Sequence, residues 1–468
     1  MTDKALSRLK TVFVVPETTR GVMAMPAASN VVFAISADMS QTRKSKNSEE
    51  LISTLDVVDK VVGSADPVKV SLRTYIRPNG LGNVPMGDGL FQSAIGSKAT
   101  AFTAALTAGI DDVVTSLTYK TLSGEIPACG TIDLGTETIF YGTLTRATAT
   151  TGTLSALVRG YNGTTAASHL ADAVITFNGV FYKQTTQPPD ITVIIKGDVV
   201  TQYARGCIVD SLKLGTKKDD FVEADWGIQG REMYWAGESL LDNTSGAAAS
   251  ATLVDVDNAA KFKVGAPIYN STINDAGSLS TGYVITNSDY VTNKLTLAEG
   301  IQNTSGWSYN DKIEGWSPTT GTLGDFLAGR YTEFVISGLT TPARQADISY
   351  ACKRKEVSDE MDGTSYPTDF VPEMVEGSMD VKVYQNADNV SLLGTVDDGD
   401  EVTARVAYGT LAGHKMYCHM NRLYLSDVTF KDEKPLVSID MKGTMLGLKA
   451  DTSKGIVAGE NSFEIVFC

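Results

Sequence analysis

The residues best suited to bind a metal ion lie together in one short segment, His414-Lys-Met-Tyr-Cys-His419. Imidazole nitrogen and thiolate sulfur are good ligands for zinc. Side chains of a strand alternate between its two faces, however, so His414 and Cys418 would share one face and His419 would lie on the other. The chain has one further histidine, His169. We therefore interpret this segment as ordinary strand residues and expect no metal site.

Other candidate sites have equally plain interpretations. Asp397-Asp-Gly-Asp-Glu401 gathers carboxylates that suit Ca²⁺, but it lacks the loop length and closing glutamate of an EF-hand, so we expect a charged hairpin turn. Cys207 lies in an apolar stretch, where burial raises the pKa of a thiol and makes it inert. No glycine-rich stretch ends in the Gly-Lys-Ser/Thr of a phosphate-binding loop, and no group of aromatic and acidic residues marks a sugar cleft. We expect no catalytic or cofactor-binding residues, and no enzyme.

Composition favours a β-rich structural protein. The 468 residues are 42% hydrophobic and 20% charged, and they include 43 glycines among many Thr, Ser and Asn residues. The net charge of −15 argues against a protein that grips nucleic acid, since phosphate contacts need clustered Lys and Arg. It is compatible with a surface past which DNA slides, or with an acidic excess that only maintains solubility. The basic clusters Arg43–Lys46 and Lys353–Lys355 are either contacts between subunits or solvated loops.

The cysteines and the apolar segments indicate a soluble compartment. The five cysteines are scattered without any C-x-x-C spacing, so reduced thiols are expected rather than a disulfide framework. The sequence has neither the apolar core of a secretory signal nor a run of about 18 apolar residues, and we expect no membrane partner. The cysteines are Cys129, Cys207, Cys352, Cys418 and Cys468.

Strand patterns dominate the elements that would position these residues. Pro67–Ile76 alternates apolar and polar residues, as a half-buried strand does. A short helix is expected over Leu90–Ile95, with Asp88 as its N-cap and Gly96 as its stop. Gly197–Leu214 is expected to be a pair of strands. The stretch from Asn47 to Val62 fits either a helix or a strand. Further strands are expected at Tyr331–Ser337, Met379–Tyr384, Val402–Tyr408, Arg422–Leu425, Leu436–Met441 and Ser462–Phe467.

Two segments rich in Thr and Gly interrupt this pattern, at residues 97–185 and 241–318. In the first, Thr131–Tyr141 is typical of a hairpin, and Asn162-Gly163 is a strong signal for a hairpin turn. The stretch Arg159-Gly-Tyr-Asn-Gly-Thr-Thr165 resembles small β modules of phage virion proteins. No fixed-period repeat is visible, which argues against a solenoid.

The remaining segments resemble bacteriophage major tail tube proteins over residues 11–96, 186–240 and 325–468. The resemblance lies in Ser71–Gly80 with the helix that follows, in Gly197–Leu214, in Glu373–Val383 and in the sheet-closing segment Leu436–Leu446. It implies a mainly β fold: a tail-tube-type β-sandwich that contributes to a ring-shaped barrel, with one short flanking α-helix and two β-rich insertions. The expected parts are tube core at 1–96, 186–240 and 319–468, with insertions at 97–185 and 241–318.

The same resemblance implies a structural virion protein. Six copies would form a ring, and stacked rings would enclose the channel for DNA ejection, so the partners would be further copies of the chain, with tail terminator, tape measure and tail-tip proteins. Assembly would occur in the host cytoplasm, and viral DNA would pass without specific binding along an acidic, polar channel. The alternatives are a baseplate or tail-tip hub, a capsid decoration protein, or a secreted carbohydrate-binding β protein.

The insertions carry an expectation of their own. Surface loops tolerate long insertions, whereas a ring-forming sheet would lose its register, so both insertions should project outward from a long, non-contractile tail. Deletion of residues 243–316 should then leave tube formation intact.

Overall fold

A computed structural model describes residues 10–47, 60–99, 102–217, 219–242, 246–278, 280–319, 325–358, 365–386, 399–411, 413–433, 436–454, 456 and 462–468. Within these ranges the chain is mainly β with a single α-helix, as the composition and strand patterns predicted.

The elements follow one another in five groups. The first group is β1 (Thr11–Pro16), β2 (Val31–Val32), β3 (Ala34–Ser40), β4 (Arg43–Asn47), β5 (Lys60–Ala65), β6 (Val68–Tyr75) and the helix α1 (Asp88–Ala94). The second is β7 (Thr103–Leu106), β8 (Ser116–Ser123), β9 (Gly130–Leu134), β10 (Glu137–Arg146), β11 (Thr151–Tyr161) and β12 (Val174–Phe177). The third is β13 (Val180–Lys183), β14 (Ile191–Lys196), β15 (Thr201–Lys217), β16 (Glu223–Gly230) and β17 (Glu232–Ala236). The fourth is β18 (Ser239–Leu240), β19 (Leu253–Asp255), β20 (Pro267–Asn270), β21 (Tyr283–Asp289), β22 (Lys294–Leu297) and β23 (Lys312–Gly315). The fifth is β24 (Thr332–Ile336), β25 (Leu339–Val357), β26 (Asp369–Tyr384), β27 (Glu401–Tyr408), β28 (Met416–Glu433), β29 (Leu436–Met445) and β30 (Phe463–Phe467).

The strand and the helix that carry the first part of the resemblance both form. Along β6 buried and exposed residues alternate, which confirms the predicted half-buried strand. The helix is confirmed, but the prediction of Asp88 as its N-cap is wrong: Gly87 takes that position with a φ of 80°, which favours glycine. Asp88 is instead the first helical residue, and its carboxylate accepts hydrogen bonds from Gln92 (2.9 Å) and the Tyr182 hydroxyl (2.6 Å).

The prediction of two strands over Gly197–Leu214 is wrong, because β15 is one strand of 17 residues. Its first part pairs with β14 and β17, and its last part pairs with β16 and β25. Gly206 lies between the two parts with a φ of 57°, and a Cβ there would lie 2.6 Å from Cδ of Arg231. A glycine at this point therefore lets one strand serve two sets of partners.

The order of strand pairing occurs twice along the chain. In repeat 1, β1 pairs with β14, β14 with β15, β15 with β16 and β17, β16 with β6, and β6 with β3. In repeat 2, β24 pairs with β27, β27 with β28, β28 with β29 and β30, β29 with β26, and β26 with β25. All of these pairs are antiparallel. Each repeat thus has the same topology, although the sequence showed no fixed-period repeat.

Register shifts in the pairing support the duplication, since they fall at equivalent positions of the two repeats. One short sequence likeness accompanies them: Ala34-Ile-Ser-Ala-Asp-Met-Ser40 of β3 matches Ala343-Arg-Gln-Ala-Asp-Ile-Ser349 of β25 at four positions. The matched shifts are Ile191/Val193 with Val402/Ala404, Val209/Ser211 with Leu425/Asp427, and Ala34/Ser36 with Ala343/Gln345.

The two repeats share one apolar core and are joined through a sheet. Leu72 and Trp226 of repeat 1 and Phe334, Met379 and Met441 of repeat 2 are buried in the same cluster. The last part of β15 pairs with β25, so the repeats meet through backbone hydrogen bonds. The resulting run of pairings, β3-β6-β16-β15-β25-β26-β29-β28, is called here the eight-strand sheet.

Each inserted group of strands has a core of its own and covers one repeat. Strands β7–β12 close into an antiparallel barrel, which packs against Tyr417 and Val466 of repeat 2. Strands β18–β23 form a six-stranded sheet, which packs against Ile194 and Tyr203 of repeat 1. The barrel strands lie within 97–185, whereas β13 pairs with β30 and β18 begins before residue 241. The domain boundaries remain predictions.

Candidate assembly surface

One face of the eight-strand sheet is polar, and the described residues of the insertions do not cover it. In β6 the exposed residues are Lys69, Ser71 and Arg73, and in β16 Asp225 is exposed between buried neighbours. The opposite side of every strand in this sheet contributes to the core shared by the repeats. The described residues of the insertions make their apolar contacts elsewhere on the repeats, including Tyr203 in the first part of β15 and Tyr417 near the start of β28, and not on this polar face. This polar face is therefore a surface that the described parts of the insertions leave open.

Charges of both signs are interspersed over the polar face. Arg73 of β6 forms an ion pair with Glu223 of β16, and its Nε lies 3.6 Å from an oxygen of Asp225. Among the described residues the two signs are present in nearly equal number, so no large basic patch exists there to hold phosphate groups. The acidic members are Asp38, Glu223, Asp225, Asp347, Glu376, Asp380, Asp427 and Asp440, and the basic members are Lys69, Arg73, Lys213, Lys217, Lys382, Lys431 and Lys442.

Both ends of the eight-strand sheet present backbone edges. In the part of the chain that the structure describes, β3 pairs only with β6. At the other end, the pairing of β28 with β27 stops at Tyr424, and beyond that residue β28 pairs only with β29. An unpaired edge is a template for another strand, and natural proteins seldom leave two of them open.

The long hairpins of the two repeats lie against each other. Near its far end, β25–β26 approaches the β4–β5 hairpin, where Arg43 donates a hydrogen bond of 2.6 Å to the Tyr366 hydroxyl. Asp369, the first residue of β26, forms ion pairs with Arg20 (3.2 Å) and Arg231 (3.1 Å). Charged contacts therefore fix the direction in which the repeat 2 hairpin points.

A buried carboxylate explains the Arg-Gly-Tyr-Asn-Gly-Thr-Thr stretch in the barrel. Glu137 is 1% exposed and accepts two hydrogen bonds of 2.8 Å from the Arg159 guanidinium. It also accepts from the backbone amides of Gly160 and Ala167 and contacts Nε2 of His169 at 2.9 Å. Burial raises the pKa of Glu137, but these hydrogen bonds outweigh burial and lower that pKa to about 2. The carboxylate thus organises the loop after β11.

Of the two hairpins that the sequence predicted in this segment, one forms and the other does not. The hairpin over Thr131–Tyr141 is confirmed as β9 and β10. The turn at Asn162-Gly163 forms, with φ angles of 56° and 75°, but the prediction that it joins a hairpin is wrong. Strand β11 pairs with β10 and β8, because the residues after the turn are bound to Glu137 instead.

The barrel loop should loosen in acid. The folded pKa of Glu137 lies below its ordinary value of 4.5, so its contribution is complete above about pH 4.5 and is lost as the pH falls towards 2. The difference in pKa corresponds to about 3 kcal/mol. We expect hydrogen exchange of barrel amides to accelerate across this range. In Glu137→Gln, which does not titrate, the acceleration should be much smaller, and equal pH profiles for the two proteins would contradict this account.

The structure does not bring the predicted metal candidates together. His414 precedes β28, so the prediction that it shares a strand face with Cys418 is wrong; Cys418 lies in the core and His419 faces the barrel. His419 borders a cavity of about 510 Å³ with Arg405 and Glu464. Burial, together with Arg405, lowers the pKa of His419 to about 4, so the imidazole is neutral at neutral pH. Among the described residues, no group of three or more His, Cys, Asp or Glu residues could hold a metal ion.

The remaining candidates have structural surroundings. Cys207 is fully buried, and burial raises the pKa of its thiol, as the sequence predicted. Asp397 lies outside the described residues, and Glu401 begins β27. The two basic clusters lie in strands β4 and β25 rather than in loops, where Lys44 pairs with Asp66 at 3.2 Å and Lys353 with Glu376 at 2.8 Å. Their role between subunits remains a prediction.

Three further observations complete the description of the chain. All five cysteines are buried and free. No helix of the described segments is long and apolar enough to cross a membrane. Of the stretch that fitted either a helix or a strand, Asn47 ends β4 and Lys60–Val62 begin β5, while residues 48–59 lie outside the described residues.

No protein-family model matches the chain, and no curated protein matches its sequence.

Proposed function

We propose that this chain is the subunit of a bacteriophage tail tube. The observation that carries the proposal is the two-sidedness of the repeats. The insertions cover one side, and the polar face of the eight-strand sheet lies on the other. The sheet also has an unpaired edge at each end in the described part of the chain. A protein that assembles edge to edge into a ring needs an uncovered inner side and free strand edges. The inner side must leave the channel clear, whereas the outer side can carry inserted domains. The resemblance of the core segments to tail tube proteins supports the same assignment.

The duplication changes the number of chains expected in a ring. The resemblance implied six copies, each with one β-sandwich of the tail-tube type. This chain contains two equivalent repeats, so a ring of six repeats needs three chains. The internal β15–β25 pairing would then supply every second junction of the ring.

The channel lining that follows from this orientation is polar with mixed charge, in place of the acidic lining expected from the net charge of −15. Six repeats would expose alternating Lys, Arg, Asp and Glu residues to passing DNA. Such a surface offers phosphate groups no continuous basic track, so DNA would move through it without specific binding. The acidic excess of the chain then belongs mainly to other surfaces.

The insertions would decorate the outside of the tube. The barrel and the six-stranded sheet cover equivalent sides of the two repeats, so each repeat would carry one outward module. A contractile sheath packs closely around its tube and would collide with these modules, which favours a non-contractile tail. Tail terminator, tape measure and tail-tip proteins would be the partners at the two ends and inside the channel.

Imaging of the purified chain tests the proposal. We expect rings or tubes with an axial channel by negative-stain electron microscopy, and a smallest closed species of three chains by size-exclusion chromatography with light scattering. Protein that stays strictly monomeric at high concentration would contradict the proposal. Closed particles that never stack would favour a baseplate or tail-tip hub, and binding of single copies to capsids would favour a decoration protein.

A further inference from the structure

The junction between the two repeats has a defined register. On the last part of β15, Leu214 lies opposite Ile348 of β25, and Gly215 lies opposite Asp347. This edge of β15 begins where its pairing with β14 ends, so β25 covers backbone groups that would otherwise be exposed. Leu214 is 1% exposed, because the repeats bury it between them.

In the part of the chain that the structure describes, the equivalent edge of repeat 2 has no strand on it. The matched register shifts place Phe430 and Lys431 of β28 where repeat 1 has Leu214 and Gly215. Beyond Tyr424, this side of β28 carries no partner among the described residues.

Strand β3, at the opposite end of the eight-strand sheet, is the repeat 1 counterpart of β25 and could pair with this edge of β28. Met39 and Asp38 of β3 stand where β25 has Ile348 and Asp347. The edge of β3 that faces away from β6 has no strand partner in the described part of the chain. Strands β3 and β28 lie at opposite ends of one sheet. They can therefore pair with each other only if the sheet of one chain closes on itself or if they belong to two copies. The six paired strands between them hold the two ends of the sheet apart, which leaves pairing between two copies.

Exposure of an apolar side chain marks the open edge. Phe430 is 38% exposed, although its equivalent Leu214 is fully buried. Both residues point to the core side of the sheet, as their neighbours Met441 and Trp226 show. Phe430 therefore has the exposure expected of a core residue that is buried only when a second molecule packs against this edge.

We propose that β28 of one copy pairs antiparallel with β3 of a second copy, in the register of the internal β15–β25 junction. Thr429 would lie opposite Ser40 of the second copy, Phe430 opposite Met39, and Lys431 opposite Asp38. The last pair joins opposite charges on neighbouring strands, where the side chain of Asp38 is 81% exposed. In its own chain this carboxylate lies 3.5 Å from Lys10 Nζ, which also donates to the Ala37 carbonyl, so Lys431 would share it with Lys10. This pairing joins different surfaces of neighbouring copies, so the assembly is head-to-tail. It closes into a ring when the rotation from one copy to the next is a whole fraction of a full turn.

This pairing rests on the duplication alone, whereas closure into a three-chain ring rests on the proposed function. The test is built to separate the two. Cross-linked rings that never form tubes would support the pairing and count against the tail tube.

Cysteine cross-linking measures the register directly. We expect Thr429→Cys/Ser40→Cys to form disulfides between chains under mild oxidation, giving a ladder on non-reducing gels that ends at three chains. Lys213→Cys/Ser349→Cys places cysteines at the equivalent internal positions and should form its disulfide within one chain. Thr429→Cys/Ser71→Cys moves one cysteine a strand further away and should give no ladder. An internal disulfide without any ladder from the first pair overturns the proposal.

Charge reversal gives an independent measurement should the internal control fail to oxidise. Lys431→Glu alone and Asp38→Lys alone should each weaken association by about tenfold or more, since each places like charges opposite one another on neighbouring strands. Within one chain Lys431 also pairs with Asp440, and Asp38 pairs with Lys10, so weaker association of a single variant is not sufficient evidence by itself. The double variant should regain association. Association that is unchanged in both single variants, or that is not regained in the double variant, would overturn the proposal.

Discussion

Replacement of Glu137 with alanine is expected to lower the free energy of unfolding of the barrel by about 3–5 kcal/mol, because it leaves a buried guanidinium without its counter-charge. The Arg159 side chain is 8% exposed, and its Nε and Nη2 both donate to this carboxylate. The amides of Gly160 and Ala167 would lose their acceptor as well. Hydrogen exchange of the barrel amides, with thermal unfolding of the whole chain, measures the loss.

A matched control is available in the same part of the chain. Glu125 also forms an ion pair, with Lys183, but half of its side chain is exposed. Glu125→Ala should cost about 1 kcal/mol or less, as solvent-exposed pairs do. Equal losses in the two variants would show that Glu137 contributes no more than a surface charge and would contradict its role in ordering the loop.

Deletion of residues 243–316 with a short Gly/Ser bridge is expected to destabilise repeat 1 and to cause aggregation. The sequence favoured a harmless deletion, but the structure changes that expectation. Phe13, Ile194 and Tyr203 of repeat 1 are fully buried in the core that they share with this insertion. The Tyr203 hydroxyl donates to the carbonyls of Pro267 and Trp316 and would lose both acceptors. Exposure of each large apolar side chain costs about 1.5–3 kcal/mol.

Thermal unfolding and binding of a hydrophobic dye measure this effect. A deletion that also carries Phe13→Thr and Ile194→Thr is the control, since threonine suits an exposed strand face. It should recover solubility, and with it the ability to form rings if the insertion is only decoration. A plain deletion that stays soluble, binds no dye and unfolds at the same temperature would show that the insertion does not stabilise repeat 1.

Local patterns predicted the elements well where a single strand or turn decides the outcome. The alternation along β6, the helix near Phe91 and the hairpin of β9 and β10 all follow from side-chain periodicity and turn residues, which act over a few positions. Two of the wrong predictions share a cause, which is that distant partners decide between local options. The residues after Asn162 leave the hairpin because Glu137 binds their amides, and β15 continues through Gly206 because two sets of strands pair along it.

The duplication illustrates the same limit on a larger scale. Strand pairing depends on backbone hydrogen bonds and on alternation of polarity, both of which many sequences satisfy. Two repeats can therefore keep the same pairing while their residues diverge. The likeness of Ala34–Ser40 to Ala343–Ser349 was the one short signal in the sequence, and seven residues do not identify a repeat without the register that the structure supplies.

The sequence by itself determined that this protein is mainly β, where its first long strand and its helix lie, and which segments differ in texture from the rest. These properties follow from composition and from periodicity within one element. Only the tertiary structure decided that the chain holds two equivalent repeats, that each is covered by one insertion, and that β3 and β28 present matching open edges. Those properties depend on which strands meet across hundreds of residues, and pairing at that distance is selected by the packing of the whole core.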